Sequence, residues 1–367
     1  MRAFNIQPLD TKAMETCRYR IDNLTKPIYS LAMLETIAER FAGVLANPKP
    51  NHLKYGVLIV GADHLVDGPQ NVEHGHTSLN AIKRFNEGMS ATQGAAFKLQ
   101  APVYVVNIGL EQDTNHLANI DSRVIRNGSH FFGVEPSISH DELEQALEMG
   151  FGYADKLHEA GLQVVALGNI GERTFLDALV TTATITGASY ETLLTESDNG
   201  PTIAQRAAHI HSFVDPFDIA VADWSVLSES DRRTALLRLL HVVGGLDITF
   251  LTGFILGAAS HRMAVLYDNA LTGAAVLAAV TMEPLVKDYV FSSAVYDDPI
   301  HKEQCRFLDV KPPLHYDLQI DEGLGSTMGL SIVDASMHML NDMKTFVEAE
   351  VRAAEDGAGK GRQEDIK

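Results

Sequence analysis

Short, unbroken apolar runs recur along the chain at 55–61, 103–108, 164–167, 248–251, 264–267 and 289–291. Runs of this length without polar alternation mark strands buried on both faces, as in a parallel sheet. Between most of them the apolar spacing changes to three and four, which predicts helices over 141–160 and 231–242. Strands alternating with helices in this way predict an α/β fold with helices on both faces of the sheet. The first stretch, 10–46, reads as helical, with Leu31, Leu34, Ile37, Ala38 and Phe41 at helix spacing. Asn47, Pro48, Lys49 and Pro50 form a linker, because two prolines in three residues cannot continue a helix. Beyond Gly329, a helix bearing Ile332, Val333, Ala335, Met339 and Leu340 is expected to run to about Ala354. Residues 356–367, rich in Gly, Lys and Glu, are expected to be disordered.

Ligands of open parallel sheets bind beyond the carboxyl ends of the strands. The predicted ends carry Asp63 and His64, Asn107, Gly168 and Asn169, Thr252 and Gly253, and Asp268. A second concentration of chemistry lies near the C-terminus, in Asp321-Glu322-Gly323-Leu324-Gly325-Ser326-Thr327-Met328-Gly329. Glycine lets backbone approach a ligand closely, and a helix start offers unpaired N–H groups to an anion. A glutamate held there has the chemistry of a general base. The alternative is a solvated Glu in a glycine turn.

Composition narrows the function class. The chain has 367 residues, 46% hydrophobic and 21% charged, which is ordinary for a soluble globular protein. A net charge of −19 argues against nucleic-acid binding, although a local field can still favour a phosphate. Two cysteines, Cys17 and Cys305, are too few for a disulfide framework and point to a reducing, cytoplasmic setting. The N-terminal residues lack the apolar core of a signal peptide. The apolar runs 248–259 and 270–280 are shorter than a bilayer span, so no membrane segment is expected. His64, His74 and His76 fit no zinc spacing, so no metal is expected.

Five segments stand in a telling order: Lys26-Pro27-Ile28-Tyr29-Ser30-Leu31-Ala32-Met33-Leu34-Glu35, then Ala62-Asp63-His64, then Gly244-Gly245-Leu246-Asp247-Ile248 with Gly253 and Leu256-Gly257-Ala258-Ala259, then Ala264-Val265-Leu266-Tyr267-Asp268, and lastly the Asp-Glu-Gly-Leu-Gly-Ser stretch. Together they resemble the nicotinate-nucleotide:dimethylbenzimidazole phosphoribosyltransferases, from about residue 15 to 345. The resemblance implies a doubly wound, mostly parallel sheet, Rossmann-like, over 51–325. It implies a small helical domain built from 1–48 and 326–355, roofing the site, and a two-fold dimer. It implies transfer of phosphoribose from nicotinate mononucleotide to dimethylbenzimidazole, with no cofactor. Glu322 matches the family's base, with Asp321 in place of a glycine. Substrate contacts are implied at Asp63, His64, His76, Lys83, Asn169, Gly171, Arg173, Gly245, Gly253, Asp268, Gly323 and Gly325.

The chain also departs from the family pattern. Asn169 stands where the family carries a second glutamate, and it cannot accept a proton at neutral pH. Thr174, Phe175 and Leu176 replace an Asn-Thr-Thr at the phosphate end of the nucleotide. Gly171 and Arg173 could still bind phosphate at the following helix start, against the opposing charge of Glu172. Lys83 stands where glutamine is usual. The segment 215–230, with the only tryptophan, Trp224, looks like an insertion. Two expectations follow. One is an enzyme acting on dimethylbenzimidazole or another azole, a purine or a phenol. The other is a diverged paralogue without turnover of its own, serving as a binding protein or the partner of an active subunit.

Overall fold

The computed structural model describes residues 4–66, 77–196, 200–316, 318, 320, 322–353 and 360–364. Its strands are β1 Tyr55–Ala62, β2 Leu65–Val66, β3 Val103–Gly109, β4 Asp121–Ser122, β5 Phe131–Phe132, β6 Val164–Ile170, β7 Ala264–Tyr267, β8 Val290–Ser292, β9 Ala294–Val295 and β10 Leu314–His315. Six of them form one parallel sheet in the order β4-β3-β1-β6-β7-β8. The chain enters at β1, winds outward through β3 to β4, then returns to β6 and winds the other way. This is a doubly wound sheet, and its switch point lies between β1 and β6. Every residue of β1 and β6 is buried, which is why their sequences read as continuous apolar runs. Two small parallel pairs, β2 with β5 and β9 with β10, hang from the strand ends.

Helices cover both faces. On one side, His140–Glu159 and Gly245–Ser260 cross so closely that a Cβ at Gly150 would lie 2.1 Å from the Phe250 carbonyl oxygen. A Cβ at Gly253 would lie 2.2 Å from the Leu147 carbonyl oxygen. The expected strand at 248–251 is therefore wrong: those residues belong to helix Gly245–Ser260, buried from Gly245 through Ala259. A helix that is apolar all round has no periodic face, so over a short window it is indistinguishable from a buried strand. Thr252 and Gly253 consequently sit inside a helix rather than at a strand end. Edge strand β4, only two residues long, carries no pattern to read.

The expected helical stretch 10–46 is two helices, Thr11–Asn23 and Met33–Val44. The bend between them holds Tyr29 and Ala32 at φ of 62° and 44°, a left-handed backbone that favours glycine. Both helices pack with Leu324–Asp342, which starts earlier and stops sooner than its apolar pattern implied. Arg20 ties this group together by donating to the carbonyls of Leu340 and Met343. The tail is not wholly without structure, as composition implied. Residues 360–364 dock on the end of helix Thr11–Asn23, where Arg362 Nη2 lies 2.9 Å from Asp22 Oδ2 and Gln363 donates to the carbonyls of Asp22 and Lys26. Trp224 is half-buried and donates to the Thr184 carbonyl at 3.2 Å, so its indole N–H is satisfied within the chain.

Candidate active site

Asp63 follows directly after β1 and is 2% exposed. Its Oδ1 accepts the Glu172 N–H at 2.8 Å, and its Oδ2 accepts the Glu111 N–H at 2.9 Å and the Ser78 hydroxyl at 3.2 Å. One carboxylate thus joins the loops after β1, β3 and β6 to helix Thr77–Asn86. Burial pushes its pKa up, although the two backbone donors oppose the shift.

His64 makes a second junction. Its Nε2 hydrogen-bonds Asp247 Oδ2 at 3.1 Å, and its Nδ1 lies 2.9 Å from Asp177 Oδ2. The Asp177 contact meets ion-pair distance without hydrogen-bond alignment, so it acts through charge. Asp177 and Asp247 each occupy the first turn of a helix, Phe175–Thr186 and Gly245–Ser260. His64 therefore clamps two helix N-termini to the end of the central strand. Burial alone would lower the imidazole pKa, but the two aspartates outweigh it and hold it well above the ordinary value. Gly245, at φ 57°, makes room for the ring: a Cβ there would lie 2.4 Å from His64 Cε1. Asp63 and His64 are both buried and face these partners. Their side chains organise strand ends.

The Glu-Gly-Leu-Gly-Ser segment, which enters helix Leu324–Asp342 at Leu324, lies over β6. Gly323 (φ 74°) packs on Gly168, and a Cβ on Gly168 would lie 2.5 Å from Gly323 Cα. Gly325 leaves space for Tyr296, whose hydroxyl would be 2.0 Å from an added Cβ. The Tyr296 hydroxyl donates to Asp268 Oδ2 at 3.1 Å, and the same oxygen accepts the Ser326 N–H at 3.0 Å. Gly171 is likewise a close-approach glycine, since a Cβ would lie 2.0 Å from the Ala62 carbonyl oxygen. These glycines serve contacts of chain with chain. At the top of this stack sits Glu322, 8% exposed, its carbonyl accepting the Thr92 hydroxyl at 2.7 Å. Its carboxylate pairs with the Arg84 guanidinium from helix Thr77–Asn86.

Asn169, the penultimate residue of β6, is buried, and its Oδ1 accepts from Asn269 Nδ2 at 2.8 Å. Asn269 in turn caps helix Ala270–Met282. Arg173, expected at a phosphate, is engaged by Glu111, by Glu172 and by the His64 carbonyl. The following helix begins at Phe175, with no side-chain cap. Lys83 is exposed on its helix; Arg84, one position along, is the cation that reaches the glutamate. His76 lies outside the described residues. Gly253 packs against helix His140–Glu159, and its role there is helix crossing. Arg84, Thr92, Tyr296, Asp177 and Asn269 were not picked out from sequence, because nothing in their spacing sets them apart. Two cavities, of about 630 and 580 Å³, lie off this cluster, one beside His140 and His241 and one beside Arg40 and Phe291.

A family model described as phosphoribosyltransferase matches residues 6–351. The chain belongs to this phosphoribosyltransferase family. Among its relatives are the nicotinate-nucleotide–dimethylbenzimidazole phosphoribosyltransferases of Chloroflexus aggregans, 32% identical over 95% of this chain and 96% of that protein, and of Chloroflexus aurantiacus, 31% identical over 94% and 96%. The solved structure of the enzyme so named from Thermus thermophilus superposes with a TM-score of 0.81, at 24% identity, over 94% of this chain and all of that one. The phosphoribosyltransferase fold thus agrees with the doubly wound sheet expected from sequence. Among the described residues no helix is long and apolar enough to cross a membrane, and no cluster of His, Cys, Asp and Glu is arranged to hold a metal.

Proposed function

We propose that this phosphoribosyltransferase moves phosphoribose from nicotinate mononucleotide to a lower-ligand base for cobamide synthesis. The acceptor is dimethylbenzimidazole or another azole, a purine or a phenol, and Glu322 is the general base. The relatives' names supply the donor and the acceptor class. The observation carrying the residue assignment is the position of Glu322, over β6 beside the switch point where such sheets bind ligands, in contact with one cation. In the reaction with an azole, an acceptor nitrogen (for a phenol, the hydroxyl oxygen) bonds to the anomeric carbon while the bond from that carbon to the nicotinate ring nitrogen breaks. The electron pair returns to the ring, so nicotinate leaves without needing a proton. The acceptor nitrogen gains positive charge, and its azole proton passes to the Glu322 carboxylate. Asn169, already hydrogen-bonded to Asn269, orients rather than titrates.

A dimer, with itself or with a family paralogue, belongs to this reading, since closed two-fold pairs are the commonest oligomers. The alternative role, a subunit without turnover of its own, draws on Asn169 and on the engagement of Arg173 by two glutamates. Incubating the purified chain with nicotinate mononucleotide and each acceptor, with the product identified by mass, separates the two. A phosphoribosylated base supports the enzyme. Donor binding without product supports the partner subunit, and absence of donor binding refutes the enzyme.

A further inference from the structure

Glu322 and Arg84 form a neutral pair before reaction, but Glu322 gives up its negative charge when it accepts the acceptor's proton. Arg84 is then a guanidinium without its anion, in a site where Glu322 itself is only 8% exposed. Half exposed, the cation tolerates that change, and a second anion brought to the same place would stabilise it further. The other arginine of this cluster is already committed, Arg173 to Glu111 and Glu172. Arg84 contacts Glu322 through Nη2, and its side chain is 43% exposed, with no other ion pair among the described residues. It touches the base yet retains donors for a ligand, and a planar guanidinium suits bidentate recognition of a carboxylate.

We propose that Arg84 reads the ring carboxylate of the donor and so selects a nicotinate nucleotide over its uncharged amide. This inference rests on the donor proposed above. The donor's ring nitrogen is bonded to the carbon that the acceptor attacks, so the ring and its carboxylate belong to the same site as Glu322. As Glu322 becomes neutral, the carboxylate on the departing ring takes over the pairing with Arg84. The site's charge balance then changes little during transfer, which favours the transition state by electrostatic preorganisation. Lys83, exposed on the same helix, does not share this contact with the base.

The test compares wild type, Arg84→Gln and Arg84→Lys with three donors: nicotinate mononucleotide, nicotinamide mononucleotide, and nicotinate riboside, which lacks the phosphate. Affinity by calorimetry is read beside kcat/KM, and circular dichroism checks folding. Arg84→Gln should weaken binding of the two nicotinate donors roughly 10- to 100-fold and leave binding of nicotinamide mononucleotide within about threefold, as expected for one charge-assisted contact. Arg84→Lys should restore part of the preference. An equal loss with all three donors overturns the assignment, because Arg84 then acts only on Glu322 or on the fold. A loss with both mononucleotides but not with the riboside also overturns it, in favour of the phosphate. If Arg84→Gln does not fold, Arg84→Lys decides alone: an unaltered acid-to-amide preference together with reduced affinity for every donor sinks the idea. Wild type that binds nicotinate mononucleotide while Arg84→Gln binds it equally well refutes this inference alone. Wild type that binds no donor refutes the proposed function as well.

Discussion

Two charged clusters stand at the carboxyl ends of the same sheet, and they differ in enclosure. In the first, His64 is held between Asp177 and Asp247, all three side chains at most 1% exposed. In the second, Glu322 at 11% side-chain exposure meets Arg84 at 43%. Charges taken fully out of water must be satisfied by fixed partners, and their removal leaves a bare buried ion. A charge with one open side can exchange partners, which is what proton transfer requires. The enclosed cluster therefore shapes the site, and the half-open one is equipped to react. His64 and Glu322 both lie within family motifs, and only exposure and partner geometry tell them apart.

The sharpest way to break this comparison is Glu322→Gln. Turnover should fall roughly 10²- to 10⁴-fold, as for loss of a general base, measured by product formation. His64→Asn comes next. It leaves two buried aspartates without their cation and should cost about 3–5 kcal/mol in urea unfolding. Arg84→Gln, at the open cluster, should cost no more than about 1 kcal/mol in the same assay. The two clusters also differ in pH response. The folded-state pKa of His64 is raised, so its contribution is fully present below the unfolded value of about 6.5. That contribution declines as pH climbs from there to the raised folded value. The stability gap between wild type and His64→Asn should therefore shrink above pH ~6.5, and a gap that widens would contradict the clamp.

Gly325→Ala is a smaller perturbation. Its Cβ would fall 2.0 Å from the Tyr296 hydroxyl and 2.7 Å from Asp268 Oδ2, so the Glu322 loop must shift. A loss of about 1–3 kcal/mol is expected, relieved in part by Tyr296→Phe in the same chain. A comparably small effect, on the scale of Arg84→Gln, should come from deleting residues 354–367. Arg362, Gln363 and Glu364 contact Asp22, Lys26 and Asn23, and losing these part-buried contacts should cost about 1 kcal/mol, read as a slightly lower Tm.

The sheet was legible where strands are long and buried on both faces. β1, β3, β6 and β7 fall on the runs read from the sequence. The miss at 248–251 has the same origin as those successes, since complete burial erases the period that separates helix from strand. At the site, Glu322 stood out because glycines surround it, but the glycines' function did not. Gly323, Gly325 and Gly171 accommodate Gly168, Tyr296 and the Ala62 carbonyl, contacts between segments far apart in sequence. His64 was marked by its motif, yet its partner Asp247 lies 183 residues away, so a clamp and a ligand contact look alike from one end. Arg84 carried no signal, being 238 residues from Glu322 and beside another basic residue, Lys83.

The central claim is that Glu322 moves a proton and does not hold the donor. Titrating nicotinate mononucleotide into wild type and Glu322→Gln tests it most directly. Glu322→Gln should bind the donor at least as tightly as wild type, because a neutral side chain frees Arg84 for the ring carboxylate, while turnover differs by the orders of magnitude given above. A loss of donor affinity that matches the loss of turnover would contradict it, and would make Glu322 a binding group instead of the base.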